Sequence, residues 1–175
     1  MFSRHALLLA ATVVALAGCG SQQVAAAPAK QSPAVVAKQS PAPALTITDP
    51  WVKTAKKGMS AAFGTLVNNT DAEVTIVSGA SPVSPKIELH EVVESGGKMI
   101  MRPKEGGFVI PAHGTHELRP GGDHIMLMGV AQEVLPGARI PFTLTVKGGE
   151  PLEFTAIGKD FAGGKEDYQP GMGHK

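Results

Sequence analysis

From Leu45 onward the chain falls into short apolar runs with a period of two, split by turn residues. Leu45 and Ile47 alternate with threonines, and Asp49-Pro50 is expected to break that run. Met59 to Val67 reads as a strand ended by Asn68-Asn69-Thr70-Asp71, and Val74 to Val77 as another before Ser81-Pro82. Ile87 to Val93 and Met99 to Arg102 predict a hairpin around Ser95-Gly96-Gly97. Phe108 to Ile110 and Thr115 to Leu118 are brief strands, and His124 to Val130 follows a Pro-Gly-Gly turn. Phe142, Leu144 and Val146 alternate with threonines, and Leu152 to Ile157 follows Lys147-Gly148-Gly149-Glu150. No helical period is visible, so the pattern predicts an all-β sandwich or barrel of about nine short strands. Some 115 residues can bury a working core without disulfides.

The first 44 residues follow other rules. Arg4 and His5 precede an apolar run, Ala6 to Leu16, that is short for a membrane span. Leu16-Ala17-Gly18-Cys19 resembles a bacterial lipobox. Residues 1–18 are therefore expected to be a lipoprotein signal peptide, and Cys19 to carry lipid that anchors the chain to a bacterial membrane on its extracytoplasmic side, whether periplasm-facing or at the cell surface. Residues 19–44 read as a linker, with four prolines and the pentapeptide Lys-Gln-Ser-Pro-Ala at 30–34 and 38–42. The organisation is thus 1–18 leader, 19–44 linker, 45–158 sandwich and 159–175 Gly-rich flexible tail.

Composition then narrows the chemistry. A net charge of +1 over 175 residues leaves no nucleic-acid footprint. Cys19 is the single cysteine, so the folded part has no thiolate for a blue-copper centre, no disulfide and no CxxC. No Ser-His-Asp order, paired-carboxylate motif, phosphate loop or HExxH marks an enzyme.

Histidine and methionine cluster instead. Leu89-His90-Glu91, Lys98-Met99-Ile100-Met101-Arg102 and His124-Ile125-Met126-Leu127-Met128 hold two of the six histidines and four of the seven methionines. Both donor types are uncharged and soft, and together they suit Cu(I). In a strand His124, Met126 and Met128 share a face, as do Met99 and Met101, and His90 shares one with Glu88 and Val92. Three such strands could assemble a three- or four-ligand site at one end of the sandwich. Each residue also has a plainer reading, since a lone strand Met is usually core filler. Met59 is expected in the core, Trp51 in core or rim packing, and Met128 in a packing role. Glu88 is a candidate to hydrogen-bond a ligand imidazole. His113 and His116 read as solvated loop histidines, and Met172 with His174 as too thin a set for a tight metal site.

The spacing resembles that of the periplasmic copper chaperone family serving the CuA centre of cytochrome oxidase. The family pattern is His, ten residues, Met, about twenty-one residues, then His-x-Met. Ten residues separate His90 from Met101, twenty-two separate Met101 from His124, and Met126 completes the set. The extra residue is expected in the loop around Gly106 to Gly114, where an insertion costs little. The residues alone leave Met99 and Met101 both available; the family spacing selects Met101. Asp49-Pro50-Trp51-Val52, Met101-Arg102-Pro103, Ile110-Pro111-Ala112 and Leu118-Arg119-Pro120-Gly121-Gly122 extend the resemblance over most of 45–158.

It implies a cupredoxin-like Greek-key sandwich or barrel that binds one Cu(I) through His90, Met101, His124 and Met126. It implies a monomeric, membrane-anchored chaperone whose partner is the CuA subunit of cytochrome c oxidase, with a thioredoxin-like copper chaperone as a second candidate partner. Two rival expectations stand beside it: a copper-buffering or resistance lipoprotein without a dedicated acceptor, and a metal-free scaffold whose methionines are all core.

Overall fold

The structure is a computed structural model that describes residues 43–163 and 167–168. Cys19, the leader, most of the linker, Met172 and His174 lie outside the described residues. Eleven strands and no helix are found among the described residues. They are β1 (Leu45–Lys53), β2 (Gly58–Asn68), β3 (Val74–Ala80), β4 (Lys86–Ser95), β5 (Lys98–Pro103) and β6 (Phe108–Ile110), then β7 (Thr115–Leu118), β8 (His124–Val130), β9 (Arg139–Val146), β10 (Leu152–Lys159) and β11 (Asp167–Tyr168).

Hydrogen bonding links them in the order β11-β5-β4-β8-β2-β1-β10-β9-β3-β6, with β7 paired to the second half of β2. One face of nearly every strand points to a shared interior. Val52, Ala62, Leu66, Ile76, Leu89, Phe108, Ile125, Leu127, Phe142 and Leu144 fill it. A single sheet can enclose such an interior only by folding over on itself, which makes the all-β sandwich that period-two patterning predicts. The close approach of β3 to β4 at Gly79, where an added Cβ would sit 3.1 Å from Ile87, marks one place where the layers meet.

The expected hairpin is β4–β5, closed by Ser95 opposite Lys98, with Gly96 and Gly97 at φ 60° and 78°. Two successive positive φ values suit the two-residue turn that matches strand twist. Two expectations need correction. Asp49-Pro50 does not end β1; the strand continues to Lys53 through a register shift between Thr48 and Trp51, with Asp49 at φ 49°. A bulge tolerates a proline that the ladder could not use. The segment expected as a loose tail also contributes to the sheet, because Asp167 and Tyr168 pair in parallel with Ile100 and Met101.

Candidate metal centre

β4, β5 and β8 are neighbours, with β4 in the middle. Their register decides which side chains share a face, since directly opposed residues project the same way. His90 stands opposite His124, Glu88 opposite Met126, and Val92 opposite Met101. The two histidines and both methionines therefore emerge from one face, opposite the one on which Leu89, Ile125 and Leu127 enter the core. Tyr168 opposes Met101 and Ala61 opposes Met126, so β11 and β2 contribute to the same face.

A cleft of about 280 Å³ opens there. Met101, His124 and Met126 line it together with Met59, Ala61, Phe63, Pro120 and Tyr168. His90 lies behind, with its ring 5.5 Å from that of His124 at 66° and fully buried. Tyr168 covers His90, stacked within 4° of parallel at 5.5 Å. Met99 is 48% exposed and points from the same face farther along the hairpin, opposite Glu94, outside the cleft.

Hydrogen bonds select the neutral tautomer of both imidazoles. Glu88 sits 2.7 Å from His90 Nε2. Burial works against ionising Glu88, but hydrogen bonds from Lys86 and His90 outweigh it and hold the carboxyl below its ordinary 4.5. Burial pushes His90 below its ordinary 6.5, against the pull of Glu88. A carboxylate can only accept, so neutral His90 donates Nε2–H and carries its lone pair on Nδ1. That Nδ1 is buried without a hydrogen-bond partner, the only such side-chain atom found among the described residues. An unmet buried polar atom costs about 1–3 kcal/mol, and a native fold retains one for a reason. In His124 the Nδ1–H donates to the Gly122 carbonyl at 2.9 Å, so in the neutral ring the lone pair belongs to Nε2.

Among the described residues no three His, Cys, Asp or Glu side chains gather as a metal cluster. The thioethers that share the cleft with His124 are those of Met59, Met101 and Met126. Charged pairs brace the region around them. Lys104 bridges Glu91 at 3.1 Å and Asp123 at 3.4 Å, and Arg102 pairs with Glu91 at 3.0 Å. His116, expected as a solvated residue, is half-buried instead; it meets Asp123 at 2.9 Å and stacks on Phe108. His113 is exposed and pairs with Asp71. Trp51 packs on Phe63, whose ring lies 6.1 Å from His124.

Among the cleft residues that sequence reasoning missed are Met59 and Tyr168. Met59, expected in the core, is 50% exposed and lines the cleft. Ser60-Ala61-Ala62-Phe63, small or apolar at every position, gave little signal of which face Met59 takes. Tyr168 offered none, because its pairing is remote in sequence.

Known proteins share this arrangement of strands. The family model described as "Putative lipoprotein LpqE-like" matches residues 45–157. "Putative lipoprotein Lxx21020" of Leifsonia xyli subsp. xyli (strain CTCB07) is 35% identical over 167 residues, covering 94% of this chain and 95% of its own. Among solved structures, CuI-DR1885 from Deinococcus radiodurans is 30% identical with a TM-score of 0.52, covering 74% of this chain and 89% of its own. The copper-bound PCuAC domain from PmoF2 shares the fold at a TM-score of 0.57 and 16% identity, covering 68% of this chain and 95% of its own.

Proposed function

The chain belongs to the LpqE-like family, of the PCuAC copper-chaperone type, and from that premise we propose that it is an extracytoplasmic carrier of Cu(I), lipid-anchored through Cys19. It holds the ion with His90 Nδ1, His124 Nε2, Met101 and Met126. Its acceptor is the CuA site of a respiratory oxidase, and it acts as a carrier rather than a catalyst.

The observation that carries this reading is the buried, unpartnered Nδ1 of His90 beside a second imidazole. Two imidazole nitrogens bound to one ion at about 2.0 Å each need ring centroids about 5–6 Å apart. The observed 5.5 Å fits. Two thioethers complete a soft, uncharged set that favours Cu(I) over divalent ions. Loss of the ion to a partner offering thiolates needs no proton from a thioether. Delivery to CuA is the reading that the spacing of His90, Met101, His124 and Met126 supports.

Anaerobic titration of the purified protein with Cu(I) against a competing chelator tests it, with one equivalent expected. Met126→Leu conserves volume and is expected to cost under about 1.5 kcal/mol of stability while copper affinity falls sharply. Wild-type binding clearly below one equivalent overturns the reading, as does a Met126→Leu variant that binds as wild type does. Transfer of the ion to an oxidase CuA domain, followed by its absorption, separates delivery from mere storage.

A further inference from the structure

Met59 is a large apolar side chain that the core does not use. It is half exposed, yet it shares the cleft wall with Met101, His124 and Met126. Register places it closely. Ala61 opposes Met126, and Met59 lies two residues earlier on the same face of β2. Met59 is therefore the diagonal neighbour of Met126, a separation of about 7–8 Å that long side chains span. Ala61 on β2 and Met128 on β8 stand beside that diagonal. Across from Met59 the register shifts, so that Met59 faces both Met128 and Gly129 of β8, the latter at φ 69°; Met128 does not line the cleft. Met99 is exposed to the same degree but lies outside the cleft, so exposure alone does not set Met59 apart.

The buried donors pose a problem of exit. His90, His124 and Met126 are 0%, 4% and 3% exposed. An ion held among them and the half-buried Met101 is approached from outside through the cleft that Met59 lines, and giving up a donor with nothing in exchange is costly.

Resting on the copper-carrier reading, we propose that Met59 is the transfer ligand: a thioether at the cleft mouth that binds Cu(I) in transit between the buried donors and an incoming acceptor. The Met59 Sδ–Cu bond forms as a bond to one buried donor breaks. The ion remains Cu(I) throughout, and no proton moves, because a thioether has none to give. The acceptor's ligand then displaces Met59 at the surface. A resident ligand deepens the equilibrium well; a transfer ligand lowers the barrier beside it and leaves the well nearly as it was.

Stopped-flow exchange separates the two roles. Loaded wild-type, Met59→Leu and Met99→Leu proteins are mixed anaerobically with bicinchoninate, a chromophoric Cu(I) chelator, and the same mixtures are read at equilibrium. Met59→Leu is expected to slow release and uptake about tenfold each, as when the exchange transition state is deprived of a single metal–ligand interaction. Its equilibrium partition should change less than about threefold, and Met99→Leu should match wild type in both readings. Unchanged rates in Met59→Leu overturn the proposal. So does a shift in partition as large as the change in rate, which would make Met59 a resident ligand, and so does equal slowing in Met99→Leu. A wild-type protein that takes up no Cu(I) fails the carrier reading first, and this proposal with it.

Discussion

Glu88 decides which nitrogen of His90 carries the lone pair. Held below its ordinary range, the carboxylate accepts from Nε2 at 2.7 Å and leaves Nδ1 for other use. Tyr168 adds a weaker contact to the same oxygen at 3.5 Å. Removing Glu88 lets the ring take either tautomer and turn. Glu88→Ala is expected to lower Cu(I) affinity roughly 10- to 100-fold, the range seen when an outer partner of a metal-bound histidine is removed. Chelator competition measures that, with far-UV circular dichroism confirming the sheet. This pairing was legible in advance, because residues 88 and 90 must share a strand face. The misplacement of Met59 has an equally local cause. Ser60-Ala61-Ala62-Phe63 is small or apolar at every position, so alternation there does not say which face is the core.

At the scale of elements, β4 and β5 are joined by a charged stitch as well as by their turn. Glu91 is flanked by Arg102 and Lys104, one from β5 and one just past its end. Burial disfavours its charge, but the two cations outweigh that and lower its pKa from 4.5. A carboxyl depressed on folding stabilises the native state above its unfolded pKa, and that contribution disappears as pH falls through the folded value. Apo protein should therefore lose stability below about pH 4 as Glu91 takes up a proton. Glu91→Gln should cost about 1 kcal/mol at pH 7, with the deficit shrinking toward zero in acid. Thermal melts of both proteins across that range check the sign; a deficit that grows in acid contradicts it. The β4–β5 hairpin could be read from Gly96-Gly97 between two alternating runs. β11 could not, since Asp167 and Tyr168 pair in parallel with a strand far earlier in the chain and leave no local trace.

The whole molecule depends on a few long-range ties that no periodicity announces. Asn68, 1% exposed at the end of β2, is one of them. Its amide donates to the carbonyls of Ala72, Ile110 and Pro111, and its oxygen accepts from the backbone and hydroxyl of Thr70. Three chain segments thus meet at one side chain. Asn68→Asp keeps the shape but removes both donors and turns a negative charge toward carbonyl oxygens. It should destabilise the fold by about 3 kcal/mol or more, read from the urea midpoint. In the sequence this residue looked only like a strand terminator, because the partners that make it indispensable are up to 43 positions away. The interior was more legible: alternating Phe142, Leu144 and Val146, or Ile125 and Leu127, named their own inward face.

The four proposed donors stand on three adjoining strands of one hydrogen-bonded sheet, not on loops that must gather around cargo. On the carrier reading, a full molecule and an empty one present nearly the same outline to an acceptor. Empty carriers then occupy the same docking place as full ones, and the acceptor tells them apart only by the ion itself. Delivery would be governed by the ratio of loaded to spent carrier at the membrane, and raising the amount of protein without raising copper would slow traffic instead of speeding it.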